Sequence, residues 1–170
     1  IPYKVMKEKH PDWVVERARA DGTPEVKLKT LDEYRTLFEV PGEFTFVKGQ
    51  EITDRFEAHP VHVNGVNLER IVLPQRGETI AQIIQRTFDA VAEQGRRTGR
   101  PMFAHLNHPN FHFANTVEDI VGLKVDQGDG FVEIYNGHPG VRNEGNETRA
   151  SMERMWDILL TQRLAELKSG

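Results

Sequence analysis

The spacing of hydrophobic and polar residues after residue 78 predicts alternating helices and strands. Apolar side chains recur at helical spacing behind Thr79, a good helix N-cap, until the glycines of residues 95–99. Residues 101–106 and 130–135 are short apolar runs, which favours strands, and residues 116–123 predict a short helix. Ser151 begins a last helix whose apolar stripe is Met152, Met155, Trp156, Leu159, Leu160, Leu164 and Leu167. Strands separated by helices are typical of an α/β fold with parallel strands flanked by helices.

Earlier in the chain the pattern predicts two more strands and a polar insert. One strand covers residues 44–52, and the second covers residues 61–68, where Val61 and Val63 alternate with polar positions. Residues 1–40 are polar, with candidate helices at 12–20 and 31–39, the latter begun by a capping box of Thr30 and Glu33. We therefore predict one domain, with a polar helical insert at 1–40 and the α/β part at 41–170.

Composition excludes several classes of function. The net charge of -4 over 170 residues gives no excess of positive charge for holding nucleic acid through bulk electrostatics. The absence of Cys excludes disulfides, thiolate nucleophiles and thiolate metal sites, and it fits a cytoplasmic chain as well as a secreted one. No apolar run is long enough for a membrane span. The chain starts at Ile1, without an initiator Met or a signal-peptide pattern, so we expect a piece of a longer protein.

Potential metal ligands collect at the predicted strand ends. These ligands are Glu51 at the end of the first strand, His105 and His108 at the end of the third, and Glu133 and His138 around the fourth. His62 lies on the second strand, where its alternation with Val61 and Val63 predicts that it points to the opposite face. In a parallel sheet the carboxyl ends of the strands share one edge, where ligands and catalysis gather. Without thiols, imidazole and carboxylate suit Zn, Mn or Fe, which lower the pKa of bound water and polarise a phosphoryl or carbonyl oxygen. The pattern predicts a metal-dependent hydrolase.

Each candidate taken singly also has a structural interpretation. Glu51 could pair with Arg55, and His62 could be a hydrogen-bonded core residue. His105 and His108, three residues apart, compete for one role, and residues 136–139 could form a turn. The remaining histidines lie in loops or helix approaches and are expected to be ordinary; they are His10, His59 and His112.

Four motifs together resemble the polymerase and histidinol phosphatase (PHP) superfamily. They are GQEI at 49–52, VHVNG at 61–65, HLNHPNF at 105–111 and FVEIYNGHPGV at 131–141. The resemblance extends over the chain after residue 40, and the polar insert is similar to one branch of the superfamily. It implies a distorted (β/α)7, TIM-like barrel with two or three metal ions at the carboxyl ends of its strands, and hydrolysis of a small phosphorylated substrate.

The same resemblance implies roles for individual residues. Glu51 would be the catalytic carboxylate that bridges two metal ions, with His62 and His108 as further ligands. His105 would be a neighbouring ligand or a group that orients one. A bridging anion offsets the repulsion between two divalent cations, here Zn, Mn or Fe.

Several motifs of the superfamily are missing from this chain. Such domains open with His-x-His and Asp-His segments and close with Asp-x-His, whereas His10 is the only His before residue 51 here and no Asp-x-His follows residue 141. Four strands are also too few for a barrel of ~250 residues. We therefore expect an incomplete domain from the centre of a longer protein, with weak metal binding and little turnover by itself. Two alternatives are a non-catalytic PHP-like module that binds a phosphorylated or sugar ligand, and a metal hydrolase of a non-phosphate bond.

Overall fold

The computed structural model describes residues 3–124 and 130–169. The chain divides into two compact units, Ile1–Val47 and Lys48–Gly170, and each is described by itself. Within the described residues, no helix has both the length and the hydrophobicity needed to cross a lipid bilayer.

The first unit contains two helices and a hairpin. Helix α1 covers Tyr3–Lys9, a 3-10 turn covers Pro11–Trp13, strands β1 and β2 cover Val14–Ala18 and Pro24–Leu28, and helix α2 covers Leu31–Phe38. The aromatic rings of Trp13, Tyr34, Phe38, Phe44 and Phe46 pack edge-on or tilted against one another.

One helix prediction in this unit is confirmed and one is wrong. The capping box of Thr30 and Glu33 begins α2 as predicted. Residues 12–20, predicted as a helix, form the 3-10 turn and β1 instead. Adjacent Val14 and Val15 favour a strand, and Gly22 supplies the positive φ of 81° that the hairpin turn requires.

The second unit is built on a four-stranded mixed sheet. Its strands are β3 (Gly49–Phe56), β4 (His59–Val66), β5 (Phe103–Leu106) and β6 (Gly130–Val132), in the order β3-β4-β5-β6. Helices α3 (Ile80–Thr98), α4 (Val117–Val121) and α5 (Met152–Ser169) complete the unit. The α/β class is confirmed, and no closed barrel is found among residues 3–124 and 130–169.

The strand directions correct the expectation of a wholly parallel sheet. Only β5 and β6 are parallel, whereas β3 pairs with β4, and β4 with β5, in antiparallel register. A connection of two residues, 57–58, joins β3 to β4, which is too short for a crossover helix, so the strands form a hairpin. The first strand also begins at Gly49 and not at Phe44, which makes only an isolated bridge with Val40.

The core lies between one face of this sheet and the helices. Strands β3 and β4 contribute Ile52, Val61 and Val63, and α3 contributes Ile83 and Ile84. Thr79 caps α3 as predicted by accepting a hydrogen bond from Gln82 N, and the helix ends at Gly99 with φ of 65°.

The predicted stripe of α5 packs only in part. Met152 and Met155 are buried and Leu159 packs against the core, while Leu160, Leu164 and Leu167 are exposed. The predicted apolar stripe therefore reaches the core only in the first half of this helix. Periodicity marks an apolar face, but it does not show whether the rest of the fold reaches along the whole helix.

We predict that Ile84→Ala lowers the free energy of unfolding of the second unit by about 2–5 kcal/mol, because the side chain is 0% exposed and its removal leaves a cavity. Trp156 lies in this unit, so its fluorescence during urea unfolding, in a Trp13→Phe background, provides the measurement. Ile71→Ala is the matched control, since Ile71 is 73% exposed and should change stability by less than about 0.5 kcal/mol. Equal effects of the two substitutions would contradict the described core.

Candidate metal centre

The pleat of the β3–β4 hairpin places two candidate ligands on the face away from the core. Ile52 and Val61 point into the core, so Glu51 and His62 point to the opposite face. In the register, Thr53 lies opposite His62 and Glu51 lies opposite Asn64. Glu51 and His62 are thus diagonal neighbours, with Glu51 Oε1 3.2 Å from His62 Nδ1. Glu51 is the third residue of β3, which corrects the expectation that it lies at the carboxyl end of a strand.

His108 joins these two side chains from the segment after β5. Asn107 N donates to His62 O at 2.9 Å, which continues the β4–β5 pairing by one hydrogen bond. His108 Nε2 then lies 3.9 Å from Glu51 Oε1. One ligand atom from each of Glu51, His62 and His108 lies within 4.8 Å of the others, so the group could hold one metal ion.

The electrostatics of His62 favour a neutral imidazole. Burial is the largest cause that lowers the pKa of His62, the neighbouring His108 lowers it further, and the carboxylate of Glu51 opposes both. His62 Nδ1 is buried and has no hydrogen-bond partner among the residues that the structure describes, although Glu51 Oε1 lies 3.2 Å away. A buried polar nitrogen without a partner is costly, and coordination of a cation would satisfy it. The donor set therefore fits a divalent metal ion.

Two side chains of the segment after β5 complete the immediate surroundings. The ring of Phe111 packs against the rings of His62 and His108, with centroids 6.1 and 5.1 Å away. Asn107 Nδ2 lies 3.4 Å from Glu51 Oε1, at the long limit of a hydrogen bond. The imidazoles of His62 and His108 are themselves edge to face, 5.1 Å apart.

His108 has an unusual backbone conformation. Its φ is +23°, in the half of conformational space that residues with a side chain rarely occupy, at a cost of ~1–3 kcal/mol. Its N–H donates to Glu133 Oε2 at 2.7 Å. The following loop is tied down by Asn110, whose Nδ2 donates to Arg142 O and Ala150 O, both at 2.9 Å.

The structure separates His105 from the three-residue group. His105 shares the open face of the sheet with Glu51, but its Nε2 lies 3.1 Å from Asn64 Nδ2, with which it is paired across the strands. Glu133, another candidate ligand, has both carboxylate oxygens in hydrogen bonds, to His108 N and to Asn136 Nδ2.

The remaining histidines also lie outside the group. His138 Nδ1 accepts a hydrogen bond from Gly140 N at 3.0 Å, and its ring packs against Phe111. His10 stacks on Trp13 in the first unit. His59 and His112 are exposed.

The sequence patterns assigned no individual role to Asn107 or Phe111, and they did not reveal the link from Glu133 to His108. Asn107 and Phe111 both lie inside the motif HLNHPNF, which was the available signal for them. The contact of Glu133 with His108 joins residues 25 apart in the chain and needs the parallel pairing of β5 with β6, so no local pattern shows it.

We predict that Glu51→Gln lowers the pKa of His62 further, because it removes the anion that favours the protonated imidazole. An NMR titration of the His62 ring in the chelated, metal-free protein measures this shift. A pKa that rises or stays constant in Glu51→Gln would contradict the contact between the two side chains. Glu57→Gln, at an exposed carboxylate in the β3–β4 turn, is the control and should leave the titration of His62 unchanged.

Comparison of the chain with family models, with curated proteins and with solved structures finds no match to any of them.

Proposed function

We propose that Glu51, His62 and His108 are metal ligands of a metal-dependent hydrolase that acts on a phosphate ester. The observation that carries this proposal is the convergence of three ligand atoms within 4.8 Å from three separate segments of the chain. Two of these segments are the antiparallel strands β3 and β4, and the third follows β5. The buried Nδ1 of His62 supports the same interpretation, because it lacks a hydrogen-bond partner within residues 3–124 and 130–169.

The ligand set is suited to a catalytic ion. Two imidazoles and one carboxylate suit Zn, Mn or Fe, and three protein ligands leave positions for water and substrate. A bound divalent ion supplies a water of lowered pKa and polarises a phosphoryl oxygen. The side chain of Glu51 is 48% exposed, against 18% for His62 and 15% for His108, so the carboxylate side of the group is open to a ligand from solvent.

The three residues have distinct roles in this proposal. His62 and His108 would supply nitrogen ligands, held in place by burial and by the ring of Phe111. Glu51 would supply the negative charge, and in a centre of two or three metal ions its carboxylate would offset the repulsion between neighbouring cations. His105 lies on the same face and belongs with Asn64 to the surroundings of the site.

The choice of a phosphate ester is supported by the order and spacing of the four PHP-like motifs. Three residues of those motifs, distant in the sequence, come together in space as ligands of one ion would. An activated water does not by itself choose phosphorus over carbon, so the experiments include phosphate as a ligand. Binding of phosphate without turnover would favour the non-catalytic alternative.

We predict that the protein binds Zn²⁺ or Mn²⁺ through this group and that His62→Asn weakens the affinity at least about tenfold, because a nitrogen ligand is lost. Competition with a chromophoric chelator gives the affinity. His59→Asn is the matched control, since His59 is an exposed residue of the same strand and should leave the affinity unchanged. Equal affinities of wild type and His62→Asn would refute the metal centre.

We also predict that inorganic phosphate, the product of ester hydrolysis, raises the melting temperature of the Mn²⁺-loaded protein, because a ligand that binds the native state stabilises it. This increase in melting temperature should be absent after a chelator has removed the metal, and it should also be absent in His62→Asn. Hydrolysis of p-nitrophenyl phosphate, compared with p-nitrophenyl acetate, is measured on the same samples. Stabilisation by phosphate that does not depend on metal would contradict the proposal.

A further inference from the structure

We infer that Glu133 is a positioning residue, which holds His108 in the conformation that brings its imidazole to Glu51 and His62. Glu133 does not belong to the three-residue ligand group, and both of its carboxylate oxygens accept hydrogen bonds from the protein. The inference rests on the proposed metal centre and adds to it a residue that touches no ion.

The backbone of His108 needs such a support. Its φ of +23° is unfavourable for a residue with a Cβ, and Pro109 immediately after it restricts the backbone further. The N–H of His108 donates to Glu133 Oε2 at 2.7 Å, and its carbonyl accepts from Phe111 N at 2.8 Å. A hydrogen bond that an amide N–H donates to a carboxylate is charge-assisted and stronger than a hydrogen bond between neutral groups. Glu133 thus opposes relaxation of His108 to an ordinary conformation.

Glu133 is itself held from two directions. It follows β6 directly, and its N–H donates to Leu106 O at 2.9 Å, which continues the parallel pairing of β5 with β6. Its Oε1 accepts from Asn136 Nδ2 at 2.9 Å. Asn136 is fixed in turn by Asn143, with Asn136 N donating to Asn143 Oδ1 at 3.0 Å and Asn143 Nδ2 donating to Asn136 O at 2.8 Å.

This network extends to the start of α5. Met152 N donates to Asn143 O at 2.8 Å, and the side chain of Met152 is buried. A continuous series of hydrogen bonds therefore leads from the first residue of α5 through Asn143, Asn136 and Glu133 to His108. Groups that orient a metal ligand in this way commonly change metal affinity 10–100-fold when they are removed.

The two obvious substitutions of Glu133 should give graded effects. Glu133→Ala removes both acceptors. Glu133→Gln keeps an oxygen for His108 N but turns an NH₂ group toward Asn136 Nδ2, so two donors face each other. We expect wild type to bind metal most tightly, Glu133→Gln less tightly and Glu133→Ala least tightly. Glu144→Ala is the matched control, at an exposed carboxylate eleven residues further along the chain.

The experiment measures Zn²⁺ affinity by chelator competition, the visible spectrum of the Co²⁺-loaded protein and the melting temperature of each metal-free variant. We expect Glu133→Ala to weaken Zn²⁺ binding about 10–100-fold and to alter the Co²⁺ bands, with Glu144→Ala like wild type. In the metal-free protein, exchange of the His108 amide hydrogen should be faster in Glu133→Ala.

The outcomes distinguish this inference from the proposed function. Wild-type affinity and spectrum in both Glu133 variants, with His62→Asn impaired, would overturn the inference alone. A lower melting temperature with unchanged affinity would show a purely structural role and would overturn it as well. If every variant, including His62→Asn, binds metal as tightly as wild type, the metal centre itself is refuted. If Glu133→Ala does not fold, Glu133→Gln decides, because it retains an acceptor for His108.

Discussion

The alternation of side chains along the β3–β4 hairpin is the constraint on which both the core and the site depend. Because successive residues of a strand point to opposite faces, Ile52 and Val63 can be buried only if Glu51 and His62 face away from the core. A slip of one residue in either strand would expose the apolar side chains and bury the polar ones. The hydrophobic effect therefore fixes the register that brings the carboxylate beside the imidazole.

Much of the second unit could be predicted from local patterns. The cap at Thr79, the apolar period of α3 and the start of α5 depend on neighbouring residues, and these signals are strong. The sequence does not predict the antiparallel direction of β4, because the residues between β3 and β4 carry no clear signal of a tight turn. Glu57, with φ of 52°, occupies a position where glycine or asparagine is the usual signal, so the hairpin had no clear marker. In the first unit, the local sequence of residues 12–20 favours a helix, but most of this segment forms β1 and pairs with β2.

The residue types and motifs identified Glu51, His62 and His108, but the structure brings these three residues together in a different way from the one predicted. Glu51 was expected at the end of a parallel strand, but it lies within β3, as a diagonal neighbour of His62 in an antiparallel pair. His62 faces away from Val61 and Val63, as its alternation with them predicts. His105 lies on the same face, yet it pairs with Asn64. The dependence of His108 on Glu133 could not be predicted, because it requires distant segments to be placed to within an ångström.

The unusual φ of His108 has a consequence for the energetics of the whole unit. A ligand that binds only the folded protein stabilises it by mass action. Here all of α3 and β5 lies in the chain between His108 and the other two candidate metal ligands, Glu51 and His62. An ion coordinated by all three would act as a cross-link whose strength depends on metal concentration. Part of the stability of the folded state would then be set by the supply of metal in the surroundings, and the strain at His108 would be offset most fully when the ion is present.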